Sequence, residues 1–157
     1  MKKTILLVSL LVIILGANAQ KIKQTKGKLG FLKGQNELTV KFVYPDDMRV
    51  GKYSEKEYIE SKMKKADDSK SSNGKKWLKM WTEDREQHYQ PKFIQLFNDE
   101  MIDEKKHVSI DYNNEAKYGI IVTTTFIEPG YNIGISKKSA NINLRIDFID
   151  NESPNDV

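Results

Sequence analysis

The segment 118–127 is apolar or β-branched on both sides. Tyr118, Ile120, Val122, Thr124 and Phe126 share one face, and Ile121, Thr123, Thr125 and Ile127 share the other. A strand that half-faces water alternates apolar with polar residues. A strand with apolar side chains on both faces needs cover above and below and a neighbour on each edge. This segment therefore predicts a central strand covered on each side, and the rest of the chain must supply its partners.

The flanking sequence offers them. Leu38, Val40, Phe42 and Tyr44 alternate with Thr39 and Lys41, and Pro45-Asp46-Asp47 follows with turn chemistry. Val108, Ile110 and Tyr112 alternate ahead of a turn at Asn113-Asn114. Pro129-Gly130 is placed for a type II turn. Beyond it, Ile142, Leu144, Ile146 and Phe148 alternate with Asn143, Arg145 and Asp147 in a last strand, Asn141–Asp150.

Between these runs the period changes to 3.6. Ser54-x-x-Glu57 is a capping box that opens a helix, with Tyr53 and Tyr58 at the staple positions. Ile59 and Met63 give it a narrow apolar stripe, and Lys62, Lys64 and Lys65 suit its last turn. Residues 66–74 read as a polar loop open to insertion. A second helical unit spans roughly 75–101. Trp77, Leu78, Trp81, Arg85, His88 and Tyr89 recur along it, and Phe93, Leu96, Phe97 and Met101 continue an apolar face. Pro91 makes this one kinked unit or two abutting helices. Trp77, Trp81, Phe93 and Phe97 are expected to face the strand layer. The order β, β, α, α, β, β, β implies an α+β single domain. Its sheet of about five strands is mainly antiparallel or mixed and packs against two or three helices.

The amino end is a different population. Met1-Lys2-Lys3, the apolar run Ile5–Leu15 and Ala17-Asn18-Ala19 have the order of a secretory signal peptide. Cleavage after Ala19 leaves residues 20–157, a soluble periplasmic or secreted domain. No cysteine follows the apolar core, so the leader is not that of a lipoprotein, and no stable membrane anchor is expected. Lys2 and Lys3 leave with it, so 24 of the 26 Lys and Arg remain against 22 Asp and Glu. A residual charge of +2 gives no reason to expect nucleic acid. Residues 20–36 hold Lys21, Lys23, Lys26, Lys28 and Lys33 ahead of the first acid, Glu37. They form either a basic arm or a solvated terminus, with Leu29, Phe31 and Leu32 favouring a short edge strand at Lys28–Leu32.

Chain length and composition narrow the chemistry. At 157 residues a multidomain enzyme is excluded, and the lack of cysteine excludes a disulfide scaffold or thiolate metal site. Asp84 and His88 lie four apart on one helix, but no second ligand pair has metal spacing, so a charged solvent face is favoured and no metal is expected. No Gly-x-Ser-x-Gly elbow or phosphate-binding glycine loop is present. No catalytic residue, cofactor or metal ligand is assigned, and a non-enzymatic role is favoured. Trp77, Trp81 and Tyr89 are the one candidate ligand platform, for a sugar or a peptide. The competing reading is that they are core.

A family pattern runs through these motifs. The stretch from Gly27 to Gln35 leads into a strand closing with Phe42-Val43-Tyr44, then Val50-Gly51-Lys52 and Glu57-Tyr58-Ile59. Lys76-Trp77-x-x-x-Trp81 follows with Asp84-Arg85, Pro91-Lys92-Phe93 and Phe97-Asn98. Thr124 to Asn132 then leads to Ala140-Asn141-Ile142. Across roughly 27–150 the chain resembles a family of exported, functionally uncharacterised proteins of Gram-negative anaerobic bacteria. By fold analogy that family is similar to the small α/β domains of the TolB amino-terminal and curli-secretion CsgG-like type. The resemblance implies no catalytic residues. The resemblance implies a further strand and a helix past the last strand, whereas here Asn151-Glu152-Ser153-Pro154-Asn155-Asp156-Val157 follows it.

Three functions are therefore weighed. The first is a non-enzymatic exported domain that binds an envelope protein. The second is a small-ligand or glycan-binding module using Trp77, Trp81 and Tyr89. The third is a hydrolase with an unrecognised site. The strand Asn141–Asp150 is expected to lie at a sheet edge, lowering stability or promoting self-association. Exported protein should have an intact mass that begins at Gln20; a mass that retains residues 1–19 would contradict the signal reading.

Overall fold

A computed structural model describes residues 23, 27–69, 72–103, 108–112 and 115–153. The leader and its cleavage site, Lys21, Lys26, His107, the Asn113-Asn114 turn and the tail from Pro154 lie outside these residues. The elements are β1 (Glu37–Val43), β2 (Arg49–Val50), β3 (Tyr53–Ser54), α1 (Glu55–Ser69) and α2 (Asn73–Asp84). A π-helical turn at Arg85–Tyr89 leads into α3 (Gln90–Asp103). Then come β4 (Ser109–Asp111), β5 (Tyr118–Glu128), β6 (Tyr131–Asn132), β7 (Lys137–Lys138) and β8 (Asn141–Asp150). The protein is α+β. No described helix is long and apolar enough to cross a membrane.

The sheet is mixed. β8 pairs antiparallel with β5 along nearly its whole length. The other edge of β5 takes two short parallel strands end to end: β1 against 119–123 and β2 against 126–127. Pro45 lacks an amide hydrogen, so the chain cannot pair through it. It turns there, with the Met48 amide donating to the Pro45 carbonyl at 2.9 Å, and resumes the same line. β4 joins β1 in parallel and β3 joins β2 as a two-residue antiparallel ribbon. The parallel pairs arise because a helical excursion separates β1 from β4 and β5, and a crossover returns the chain in its original direction.

Leu38, Val40, Ile110, Ile120 and Val122 form the buried centre of one sheet face, with Phe93, Ile94 and Phe97 of α3 packed on it. The alternation of 37–44 is thus realised as expected. The opposite face is not covered as the sequence led us to expect: Lys41, Thr125, Asn143 and Arg145 there are exposed. β5 is central by pairing, and its second face is only partly covered, with Thr123 buried and Ile121 half-buried there. Its faces also differ from strict alternation. A bulge between Thr124 and Phe126 sets Phe126 opposite Asn143 and Ile127 opposite Ile142. The extra residue inverts the parity, so Ile127 joins the core face and Phe126 leaves it.

Three local expectations change. Lys28–Leu32 is no strand: Leu29–Leu32 form a 3-10 turn, flanked by Gly27 and Gly34 in the left-handed region. Phe31 meets the Tyr118 ring at 5.0 Å and Leu32 packs on the core, which gives these residues their cover without a ladder. The loop 66–74 is much shorter, because α1 continues to Ser69 and α2 begins at Asn73. The Asp67 carboxylate, expected in the loop but placed on the last turn of α1, accepts the Gly74 amide at 2.8 Å and so satisfies the first turn of α2. The capping box forms as expected, with the Ser54 amide and hydroxyl donating to Glu57 at 2.8 and 2.9 Å. These bonds hold the Glu57 carboxyl below its ordinary range. Tyr58 turns from the staple to the tryptophans of α2.

Gly74 is buried close against the last turns of α1. A Cβ there would lie 2.5 Å from Asp67 Oδ2 and 2.8 Å from the Met63 carbonyl oxygen. Backbone cannot yield as a flexible side chain does. Gly74→Ala should therefore destabilise by about 1–3 kcal/mol, although alanine is the better helix former. Urea unfolding of the variant against the parent chain checks this, and equal midpoints would contradict it.

Candidate functional site

The helical hairpin carries an aromatic cluster. Trp77 and Trp81, one turn apart on α2, stack with centroids 5.5 Å apart and planes inclined by 16°. Tyr58 of α1 closes on them at 6.0 and 5.2 Å. Both indoles are half-buried, and neither belongs to the set packed on the sheet core, whereas Phe93 and Phe97 do. The expectation that all four face the strands is corrected for the tryptophans. The row 77, 81, 85, 89, 93, 97 has a spacing of four, which overshoots a 3.6-residue turn and winds around the helix. Its first members meet α1 and its last meet the sheet.

The change of direction occurs at the π-helical turn. Pro91 offers no amide hydrogen to the Gln87 carbonyl, and its ring would crowd that group in an α-helix. The preceding turn widens, and the Gln90 amide bonds the Arg85 carbonyl five residues back. Pro91 thus neither breaks nor sharply ends the helical unit.

A polar chain ties the hairpin to the sheet. The Trp81 indole N–H donates to Glu55 Oε1 at 2.7 Å, and Arg85 donates to the same oxygen. The Arg85 guanidinium lies 4.1 Å from the centroid of the Tyr44 ring. Gln90 donates to the Tyr44 hydroxyl at 3.4 Å and accepts from Tyr112 at 2.8 Å. Burial raises the Tyr44 phenol above its ordinary range. Tyr89 sits in this second cluster, 6.5 Å from Tyr44 and 6.3 Å from Phe42. Its hydroxyl turns toward Thr124 without reaching hydrogen-bond geometry, and burial raises its phenol as well. Trp77 and Trp81 are therefore together, and Tyr89 is not with them. Glu55, Tyr44, Gln90 and Tyr112 escaped the sequence reading because they meet from elements distant in the chain, with no spacing to mark them. Asp84 and His88 do meet, at 3.0 Å, on the solvent face.

A cleft of about 640 Å³ opens at the carboxyl end of β5. Tyr53, Tyr58, Lys52 and Lys62 line one side, and Phe126, Glu128, Tyr131 and Lys138 the other. Lys52 lies over the Tyr53 ring and Lys62 over the Tyr58 ring, at 5.2 and 5.3 Å. Lys138 pairs with Glu128 and holds its carboxyl below the ordinary range. The lining carries three cations and one anion.

The two outer edges of the sheet are treated differently. At β4, the Asn98 side chain accepts from the Ile110 amide at 2.9 Å and donates to the Ile110 carbonyl at 3.2 Å. A single amide from α3 thus imitates a neighbouring strand. β8 has no such cover: among the described residues it pairs with β5 alone. The expected open edge is present. Ile142 and Ile146 are 39% and 42% exposed along it.

Arg85→Ala should strand the half-buried Glu55 carboxylate and cost about 1–3 kcal/mol in urea unfolding. Glu55→Gln, which keeps an acceptor for Trp81, should cost less; the reverse order would contradict this account of the network. No protein-family model, curated protein or solved structure matches this chain.

Proposed function

We propose that residues 20–157 act, after export, as a non-enzymatic binding domain in the periplasm or outside the cell. Its partner is an envelope protein that presents an extended segment to the outer edge of β8. The observation that carries this reading is the edge itself: ten residues long, with no partner strand among the described residues. Free backbone groups give affinity to an added strand, and exposed side chains such as Ile142 and Ile146 give it register. The export part rests on the order of residues 1–19, and membership of the exported family rests on the motifs from Gly27 to Ile142. The glycan reading has less support. Trp77 and Trp81 give one ring face to each other and meet Tyr58 as well, which leaves little open surface for a sugar to stack on.

Photocrosslinking residues at positions 142 and 146 should capture one discrete envelope protein, while the same residue at position 92 on α3 captures none. Ile146→Lys should weaken capture from position 142 at least tenfold with little change in melting temperature. Capture of a second copy alone would assign the edge to self-association. Equal capture from all three positions would contradict the proposal.

A further inference from the structure

The β6–β7 hairpin displays apolar side chains where none is needed for folding. Ile133 is 68% exposed, Ile135 completely so, and Tyr131 50% exposed. Single exposed apolar residues are ordinary, but three within five residues on a projecting tip are not. The tip is held in shape. The Ile133 amide donates to the Ser136 carbonyl at 3.0 Å, and the Gly134 amide to Asn132 Oδ1 at 3.2 Å. Tyr131 and Ser136 hydroxyls meet at 3.2 Å, and Gly134 takes a positive φ of 80°. The turn therefore presents both isoleucines outward as a fixed feature.

Charge surrounds the base of this tip. Lys137 and Lys138 form β7. Tyr131 and Lys138 also line the cleft that Lys52 and Lys62 face from the other side. Lys138 is matched by Glu128; Lys52, Lys62 and Lys137 have no carboxylate partner among the described residues. Apolar tip, aromatic collar and cationic base follow the order of a membrane interface: acyl boundary, then headgroups.

We infer that the β6–β7 hairpin docks this domain reversibly on an anionic phospholipid surface, with Ile133 and Ile135 entering the acyl boundary and Lys52, Lys62 and Lys137 facing the headgroups. This is a peripheral contact, neither a span nor an acyl anchor, and it is independent of the β8 edge.

The sequence contains no cysteine, so Ile135→Cys can carry a single environment-sensitive fluorophore on the full chain. Vesicles of equal parts phosphatidylcholine and phosphatidylglycerol should shift its emission to the blue, and phosphatidylcholine alone should not. A label at Lys92→Cys should stay unshifted. In unlabelled chains, Ile133→Ser with Ile135→Ser, and separately Lys137→Glu, should each lower affinity for the anionic vesicles at least tenfold without changing the melting temperature. Every variant keeps the same leader, so the differences read the hairpin. No shift at position 135, or equal affinity in the serine variant, overturns the inference. An equal shift with soluble glycerol phosphate assigns the site to a free anion and overturns it. A shift that grows with protein concentration in the absence of vesicles assigns the tip to a second copy and overturns it too.

Discussion

Hydrogen bonding along both edges of β5 is the constraint from which the rest follows. β1 and β2 occupy one edge and β8 the other. β4 and β3 attach only through β1 and β2. The buried face that receives α3 is laid down by Ile120 and Val122 together with their neighbours on β1. Because β8 is, among the described residues, the only strand on its side of β5, this centrality leaves the sheet asymmetric. One margin is closed by the Asn98 amide, and the other presents free backbone.

The helical hairpin has its own aromatic packing and reaches the sheet through directional contacts. None of the residues of α1 or α2 belongs to the sheet core. The hairpin instead joins the body through β3, through Glu55 with its two donors, and through Arg85 over Tyr44. A half-buried ion pair contributes modest net stability, yet losing one partner leaves the other poorly solvated. Such a joint fixes orientation more than it adds energy. The π-helical turn ahead of Pro91 serves the same end, redirecting one continuous helix from its partner helix to the sheet.

What was legible in the sequence was what depends on neighbours in the chain. Alternation located β1, β5 and β8, and the Ser54–Glu57 box opened α1 where expected. Pro129-Gly130 marked a turn, with Gly130 at a positive φ of 69°. What was not legible depends on approach in space. The polar run at 66–74 hid the end of α1 and the start of α2 because the Asp67–Gly74 bond looks like loop composition. Leu29, Phe31 and Leu32 showed that they needed cover, but not that Tyr118 and the core would provide it without a ladder. Of the candidate platform, Trp77 and Trp81 were correctly joined by helical spacing, while Tyr89 was misplaced by a winding row. The β6–β7 hairpin was missed because two-residue strands carry no period.

The bulge in β5 has a consequence for how this chain can vary. Up to Thr124 the strand is in one frame; from Phe126 it is in the other, and the Thr125 hydroxyl fills the step by donating to the Asn143 carbonyl at 3.2 Å. Loss of Thr125 itself would leave Thr124 opposite Leu144, Phe126 opposite Asn143 and Ile127 opposite Ile142 in an unbroken alternation. Loss of another single residue of β5 would turn the side chains on one side of the gap to the other face unless the bulge were given up to absorb it. Descendants of this sequence can therefore shed one residue from β5 at the bulge and keep both halves registered, whereas a second loss would invert one half.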